Sequence, residues 1–150
     1  MKSSATSSVV IDANVTVFAI WPSPHTETAQ MLLERLRQER KIIHVPELWR
    51  AEVTSVLHQL GASRREAQDK VRRMVQAALK TAPKRAPLDE ELCLNALAWA
   101  DRLGQAKAYD AFYLALAERL GAEFWTADKR LYNRARQVGA EFVRLVSEAR

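Results

Sequence analysis

The chain has 150 residues, 48% hydrophobic and 27% charged, with only 4 Gly and 5 Pro, which excludes a disordered or low-complexity chain and predicts a single domain over 1–150 with its own core. A formal charge of +5 and a pI near 9.7 favour a polyanionic partner. The lone cysteine, Cys93, excludes an intramolecular disulfide and a thiolate zinc site, and among Leu92, Leu94 and Leu97 it reads as a buried, inert thiol.

Residues 1–8 are small and polar and read as a flexible N-terminus. The apolar run after them is broken by Asp12 and Asn14, too early for a signal peptide. No stretch approaches the ~20 apolar residues of a membrane span, so the expected location is the cytoplasm, without membrane attachment. Ser8–Asp12 (S-V-V-I-D) reads as a buried strand ending at a carboxylate. Beyond Pro22 and Pro24, Ala29, Leu32, Leu33 and Leu36 recur at helical spacing, which predicts a helix to about Arg40. Ile42, Ile43 and Val45 form a second strand stopped by Pro46. A helix follows with Trp49, Val53, Val56, Leu57 and Leu60 on one face and Gly61 at its end.

Ser63 and Glu66 have capping-box spacing and introduce a helix with Val71, Met74, Val75 and Ala78 on one side. Thr81–Pro87 (T-A-P-K-R-A-P) reads as a loop, and a helix from about Asp89 to Leu103 ends at Gly104. The segment from Lys107 to Leu120 is apolar almost all round, which predicts an interior helix closed by Gly121. Phe124–Thr126 is a third strand leading to Asp128, then comes a short helix to about Arg136 and a last strand over Phe142–Val146. Alternating strands and helices imply an α/β fold, a three-layer α/β/α arrangement around a mainly parallel sheet of four to five strands. Ligands collect beyond the carboxyl ends of such strands, where both Asp12 and Asp128 fall.

Each acid also has an ordinary explanation. Asp12 can make an Asx-turn, Asp128 can cap a helix, and Asp110 can answer a helix dipole. Glu52 is harder to explain so, because it shares the apolar face of Trp49, Val53 and Val56, and Asp110 is set into a helix otherwise apolar. Burying a lone carboxylate costs several kcal/mol, and no Lys or Arg lies on either face. Convergence of Asp12, Glu52, Asp110 and Asp128 on a divalent cation resolves both burial and repulsion. An all-oxygen set suits Mg²⁺ or Mn²⁺ better than zinc, and such an ion beside a phosphodiester supports hydrolysis. His25, His44 and His58 are scattered and read as structural or surface residues. Trp49 and Trp99 read as core, whereas Trp21, in a Pro-bounded loop, is a candidate for an interface.

Four segments carry a family resemblance: V-V-I-D-A-N-V at 9–15, V-P-E-L-W-R-A-E-V at 45–53, Y-D-A-F-Y-L-A-L-A-E at 109–118 and T-A-D-K-R-L-Y at 126–132. In order and spacing they resemble the PIN-domain family, more narrowly the VapC-type toxins of toxin–antitoxin systems. The resemblance places the family's acids on Asp12, Glu52, Asp110 and Asp128, with Asn14 and Thr126 as polar residues orienting them. It implies an endoribonuclease cutting single-stranded or loop RNA, a homodimer and a VapB-like antitoxin partner. Where many relatives have Ser or Thr before Y-D-A, this chain reads A-K-A with Lys107. Lys107, Lys129, Arg130 and Arg134 are candidate RNA contacts; the basic run from Arg64 to Arg85 reads more simply as a solvated face. Three alternatives stand beside this reading: a PIN nuclease of RNA processing without an antitoxin, a non-catalytic RNA- or protein-binding module, and a haloacid-dehalogenase-type phosphatase. The last needs D-x-D-x-T, and Asn14 stands at its second aspartate.

Overall fold

The computed structural model describes residues 7–105 and 107–149. Among them, five strands, β1 (Ser8–Ile11), β2 (Ile42–Pro46), β3 (Lys84–Ala86), β4 (Glu123–Thr126) and β5 (Val143–Leu145), form one all-parallel sheet in the order β3-β2-β1-β4-β5. Seven helices complete the three layers: α1 (Ala13–Ile20), α2 (Thr26–Gln38), α3 (Leu48–Ser63), α4 (Gln68–Lys80), α5 (Glu90–Leu103), α6 (Tyr109–Leu120) and α7 (Lys129–Gln137). A 3-10 turn, Val146–Ala149, follows β5. No helix among the described residues is long and apolar enough to cross a membrane.

The chain builds outward from β1 through β2 to β3, then returns to the other side of β1 for β4 and β5. That reversal opens a crevice between the carboxyl ends of β1 and β4, where open α/β sheets bind their ligands. Pairing of the two strands is carried one residue further by the Asp12 amide, which donates to the Trp125 carbonyl at 2.9 Å. Helix α6 lies across β1, β2 and β4 with α5 packed on it, and α1 packs against both α2 and α3. Val9, Val10, Phe124, Leu114, Leu116 and Trp49 are among the buried side chains of the core.

Several expectations need correction. Helix α1 has no counterpart in the sequence reading, because Ala13, Val15, Thr16 and Val17 are all buried and a helix apolar on most sides shows no periodicity. Strand β3 lies inside the expected loop 81–87; three residues with two basic side chains at a sheet edge give no strand pattern. Gly61 does not end α3 but sits within it, because a Cβ there would come within 2.4 Å of Val71 Cγ2 and the two helices need that close approach. Ser63 makes no capping box: its hydroxyl donates to the Leu60 carbonyl at 3.1 Å, and α4 starts at Gln68.

Cys93 is exposed, as are Leu94 and Leu97, because α5 buries its other face through Leu92, Ala96, Trp99 and Leu103. Val56 is likewise exposed, and Trp21 belongs to the core. Residues 1–6 lie outside the described residues, while Ser7 accepts from the Ile42 amide at 2.7 Å and Ser8 opens β1. Asp89, the expected start of α5, caps it through Leu92 N at 2.8 Å.

Candidate active site

Asp12 directly follows β1, Asp128 follows β4, Glu52 sits one turn into α3 and Asp110 in the first turn of α6. Four separate elements therefore deliver the acids to the crevice. The α3 helix is held against α1 by the buried pair Trp49 and Thr16, whose indole N–H donates to Oγ1 at 3.4 Å. That contact fixes the face on which Glu52 is carried. Asp12 precedes α1 but makes no side-chain cap bond, so its carboxylate remains available to the site. Asp128 does cap: Oδ1 accepts from the Leu131 amide at 3.1 Å, so the ordinary role and the proposed one coexist in one side chain.

Each acid is held by a neutral donor. Thr126, fully buried, donates from Oγ1 to Asp12 Oδ2 at 2.9 Å and accepts from the Asp128 amide at 3.0 Å, bridging the two aspartates. Asn14 donates to Thr126 Oγ1 at 3.4 Å and accepts from the Ala127 amide at 3.1 Å. The Tyr113 hydroxyl donates to Glu52 Oε1 at 2.6 Å, and Gln105 Nε2 donates to Asp110 Oδ2 at 3.2 Å.

For Asp12, Glu52 and Asp110 these donors do not offset the loss of water and the mutual repulsion. Asp12 is only 7% exposed; burial, then the charge of Asp110, and more weakly that of Glu52, push its carboxyl up to about 7 against the Thr126 bond. Burial likewise raises Glu52, against the Tyr113 bond and helped by Asp110. Asp110 is raised by burial and by Asp128. Tyr113 is lifted well above the usual phenol range by burial and by the charges of Asp12, Glu52 and Asp110. A chain of like-charge coupling thus runs through all four acids, and what opposes it is neutral hydrogen bonding. Such a group is stabilised by a cation. The oxygens are coupled without being caged: among the described residues, no three Asp, Glu, His or Cys side chains are grouped tightly enough to hold a metal by themselves.

Tyr113 and Gln105 are absent from the residues singled out by sequence. For Tyr113 a signal exists, since it lies three residues after Asp110 on the same face of a buried helix, and a buried phenol needs a partner. Gln105 lies in a connection, where nothing marks it. Of the basic candidates, Lys107 is exposed ahead of α6, and Lys129 and Arg130 are exposed on the first turn of α7. Arg134 is engaged within the fold: its Nε donates to the Leu103 carbonyl at 2.8 Å and a terminal nitrogen to Gln137 at 3.2 Å. The cleft between α3 and α4, about 540 Å³, shares no residue with the acidic group.

A family model of the PIN domain matches residues 9–137, which contain all four acids and their donors. The chain belongs to the PIN domain family. Solved structures agree with this PIN fold. A toxin–antitoxin complex from Klebsiella pneumoniae aligns with a TM-score of 0.62 at 16% identity, covering 92% of this chain and 97% of that one. VapBC2 from Rickettsia felis, bound to a DNA fragment from its promoter, gives 0.62 at 13% identity over 92% and 98%. PAE2754 from Pyrobaculum aerophilum gives 0.64 at 20% identity over 96% and 86%. At these identities the likeness is one of fold. No curated protein sequence matches the chain.

Proposed function

We propose that this PIN domain is a metal-dependent endoribonuclease that hydrolyses RNA phosphodiester bonds, and the toxin of a toxin–antitoxin pair. The observation that carries the reading is the like-charge coupling of Asp12, Glu52, Asp110 and Asp128 in a crevice where their partners are neutral donors. The donor set is all oxygen and fits hard Mg²⁺ or Mn²⁺. A loosely grouped set suits Mg²⁺ in particular, which is bound through a few carboxylates together with waters and substrate phosphate.

Asp12, Glu52, Asp110 and Asp128 would hold the ion. When bound, it supplies Lewis acidity to the scissile phosphate and acidifies an attacking water. Thr126 keeps Asp12 and the Asp128 backbone in register, Tyr113 orients Glu52, and Gln105 orients Asp110. The exposed Lys129 and Arg130, directly after Asp128, attract the RNA backbone to an otherwise acidic site. Lys107 and Arg134 are weaker candidates for that role, Arg134 because its guanidinium already ties α7 to α5.

The structural neighbours include a toxin–antitoxin complex and VapBC2, which supports a VapB-like antitoxin as partner. Leu94 and Leu97, each 57% exposed on α5, offer apolar area for a homodimer interface. The setting is the cytoplasm, where RNA and antitoxin meet the enzyme. The test is cleavage of structured RNA by the purified chain with Mg²⁺ or Mn²⁺, lost with a chelator and lost in Asp12→Asn and Asp110→Asn. Undiminished cutting by both variants would overturn the reading. The alternative is a non-catalytic RNA- or protein-binding module, which follows if acids not grouped tightly enough to hold a metal unaided recruit none with substrate present. RNA affinity without cleavage in either metal, across several RNAs, would establish it.

A further inference from the structure

A cleft of about 550 Å³ lies between the end of α5 and one face of α7, within the size range of sites that enclose a small organic ligand. It is continuous with the acidic group: Asp128 lines it, and so does Gln105, which donates to Asp110. Arg130, Asn133, Arg134 and Gln137 supply the side formed by α7. Their spacing is i, i+3, i+4 and i+7, so one face of the helix delivers all four. Lys129 does not line the cleft.

The two arginines are held differently. Arg134 is pinned, with Nε on the Leu103 carbonyl at 2.8 Å and a terminal nitrogen on Gln137 Oε1 at 3.2 Å. Its guanidinium is a fixed plane, and such a plane is a stacking surface for a nucleobase. Arg130 is exposed and has no side-chain partner among the described residues, so its fork of donors is free. Acceptors, by contrast, are withdrawn from the cleft. Gln137 Oε1 is taken by Arg134, Gln105 Oε1 is buried, and Asp128 Oδ1 is taken by the Leu131 amide. What stays free is the Arg130 guanidinium, the Gln137 amide nitrogen and the Asn133 amide, a set richer in donors than in acceptors.

We infer that this cleft selects a guanine in the nucleotide beside the scissile bond, with Arg130 on O6 and N7 of the base and Arg134 against its ring. The inference rests on the nuclease reading and adds what the acids leave open, which base the site prefers. A donor-rich wall suits bases that present carbonyl oxygens and rejects adenine and cytosine, whose amino groups would face further donors. Guanine offers two adjacent acceptors to one guanidinium fork, whereas uracil offers one. Asn133 can present either end of its amide and does not discriminate by itself.

The test compares a short oligoadenylate with the same strand carrying one central guanosine. Binding is read by fluorescence anisotropy on the full Asp12→Asn chain with Mg²⁺, because Asp12 does not line the cleft, and cutting by the wild type is mapped in parallel. The guanosine strand should bind about tenfold more tightly, the value of one bidentate pair, and be cut beside the guanosine. Inosine, which keeps O6 and N7, should retain that gain, and 7-deazaguanosine, which lacks N7, should lose most of it. Arg130→Lys keeps the charge without the fork, so the preference should vanish while affinity for the oligoadenylate holds. Arg130 is exposed, and circular dichroism should show the fold unchanged. Equal binding of the two strands, loss of the gain with inosine, or a guanosine preference intact in Arg130→Lys each overturns the inference. Cutting remote from the guanosine does so too. Failure of the wild type to cut either strand sinks the nuclease reading separately, because the binding arm does not depend on hydrolysis.

Discussion

The crevice between β1 and β4 and the α3–α4 hairpin are organised in opposite ways. In the crevice the residues that hold the acids are well packed, with Thr126 and Tyr113 fully buried, yet the charges repel. In the hairpin the charges are content, Glu66 pairing with Lys70 at 3.2 Å, while the packing is sparse: α4 buries only Ala78 completely. Rigid packing is what allows an unfavourable charge cluster to persist, since bistable or loose surroundings would let the carboxylates separate. The α4 side of the hairpin tolerates sparse packing because none of its side chains belongs to the acidic group, whereas α3 carries Glu52 at its other end.

The sharpest way to break that contrast is Asp12→Asn. Cleavage should fall at least a hundredfold, on the order of losing one preorganised electrostatic group, while the metal-free protein at pH 8 should melt several degrees higher because a repelled charge is gone. A lower melting point would mean that Asp12 is stabilising and not strained. Tyr113→Phe keeps the ring and deletes the Glu52 hydrogen bond; activity should drop about tenfold, with the fold retained by circular dichroism. Unchanged rates would remove Tyr113 from the site.

The metal-free protein should also lose stability as pH rises. Asp12 sits at about 7 in the fold against an ordinary 3.8, so below 3.8 both states hold the proton and nothing is lost. Between these values the unfolded chain releases the proton while the folded chain retains it, and folding becomes less favourable. The raised Glu52 and Asp110 add in the same sense. Thermal melts in a chelator should therefore fall from about pH 4 to pH 7, and Mg²⁺ or Mn²⁺ should raise the midpoint more at pH 8 than at pH 5.

The hairpin should respond through packing alone. Gly61→Ala places a Cβ 2.4 Å from Val71 Cγ2, and the stiff, branched valine cannot yield easily. The overpacking should cost about 1–3 kcal/mol, partly offset by the helix propensity of alanine. Adding Val71→Ala should recover most of it, and cleavage per folded molecule should not change. Smallest of all, Glu66→Gln should alter stability by about 0.3–0.5 kcal/mol; a chemical denaturation midpoint outside that range would show the pair to be more than a surface contact.

The acids were legible because their placement violates the pattern around them. Glu52 on the apolar face of α3 and Asp110 in an otherwise apolar helix are anomalies of periodicity, and periodicity is a local property. The donors that hold them were less visible. Thr126 was marked only by the family resemblance, and Tyr113 looked like one more core aromatic. Gln105 had no pattern at all, since its role depends on where the chain turns before α6. The same reason explains α1 and β3. A helix buried on most sides and a three-residue edge strand both lack the alternation between water and core that makes elements readable.

By itself, the amino-acid order determined the α/β class and most element positions and marked four candidate acids, because each is written in the spacing of apolar and charged residues along a few turns of chain. Tertiary structure alone decided the strand order that puts β4 beside β1, and with it the crevice. Only that order lets Thr126 bond Asp12 across 114 positions of sequence, and only burial turns Asp12, Glu52 and Asp110 from ordinary carboxyls into a mutually repelling group. Contact, unlike pattern, depends on which distant segments the core brings together.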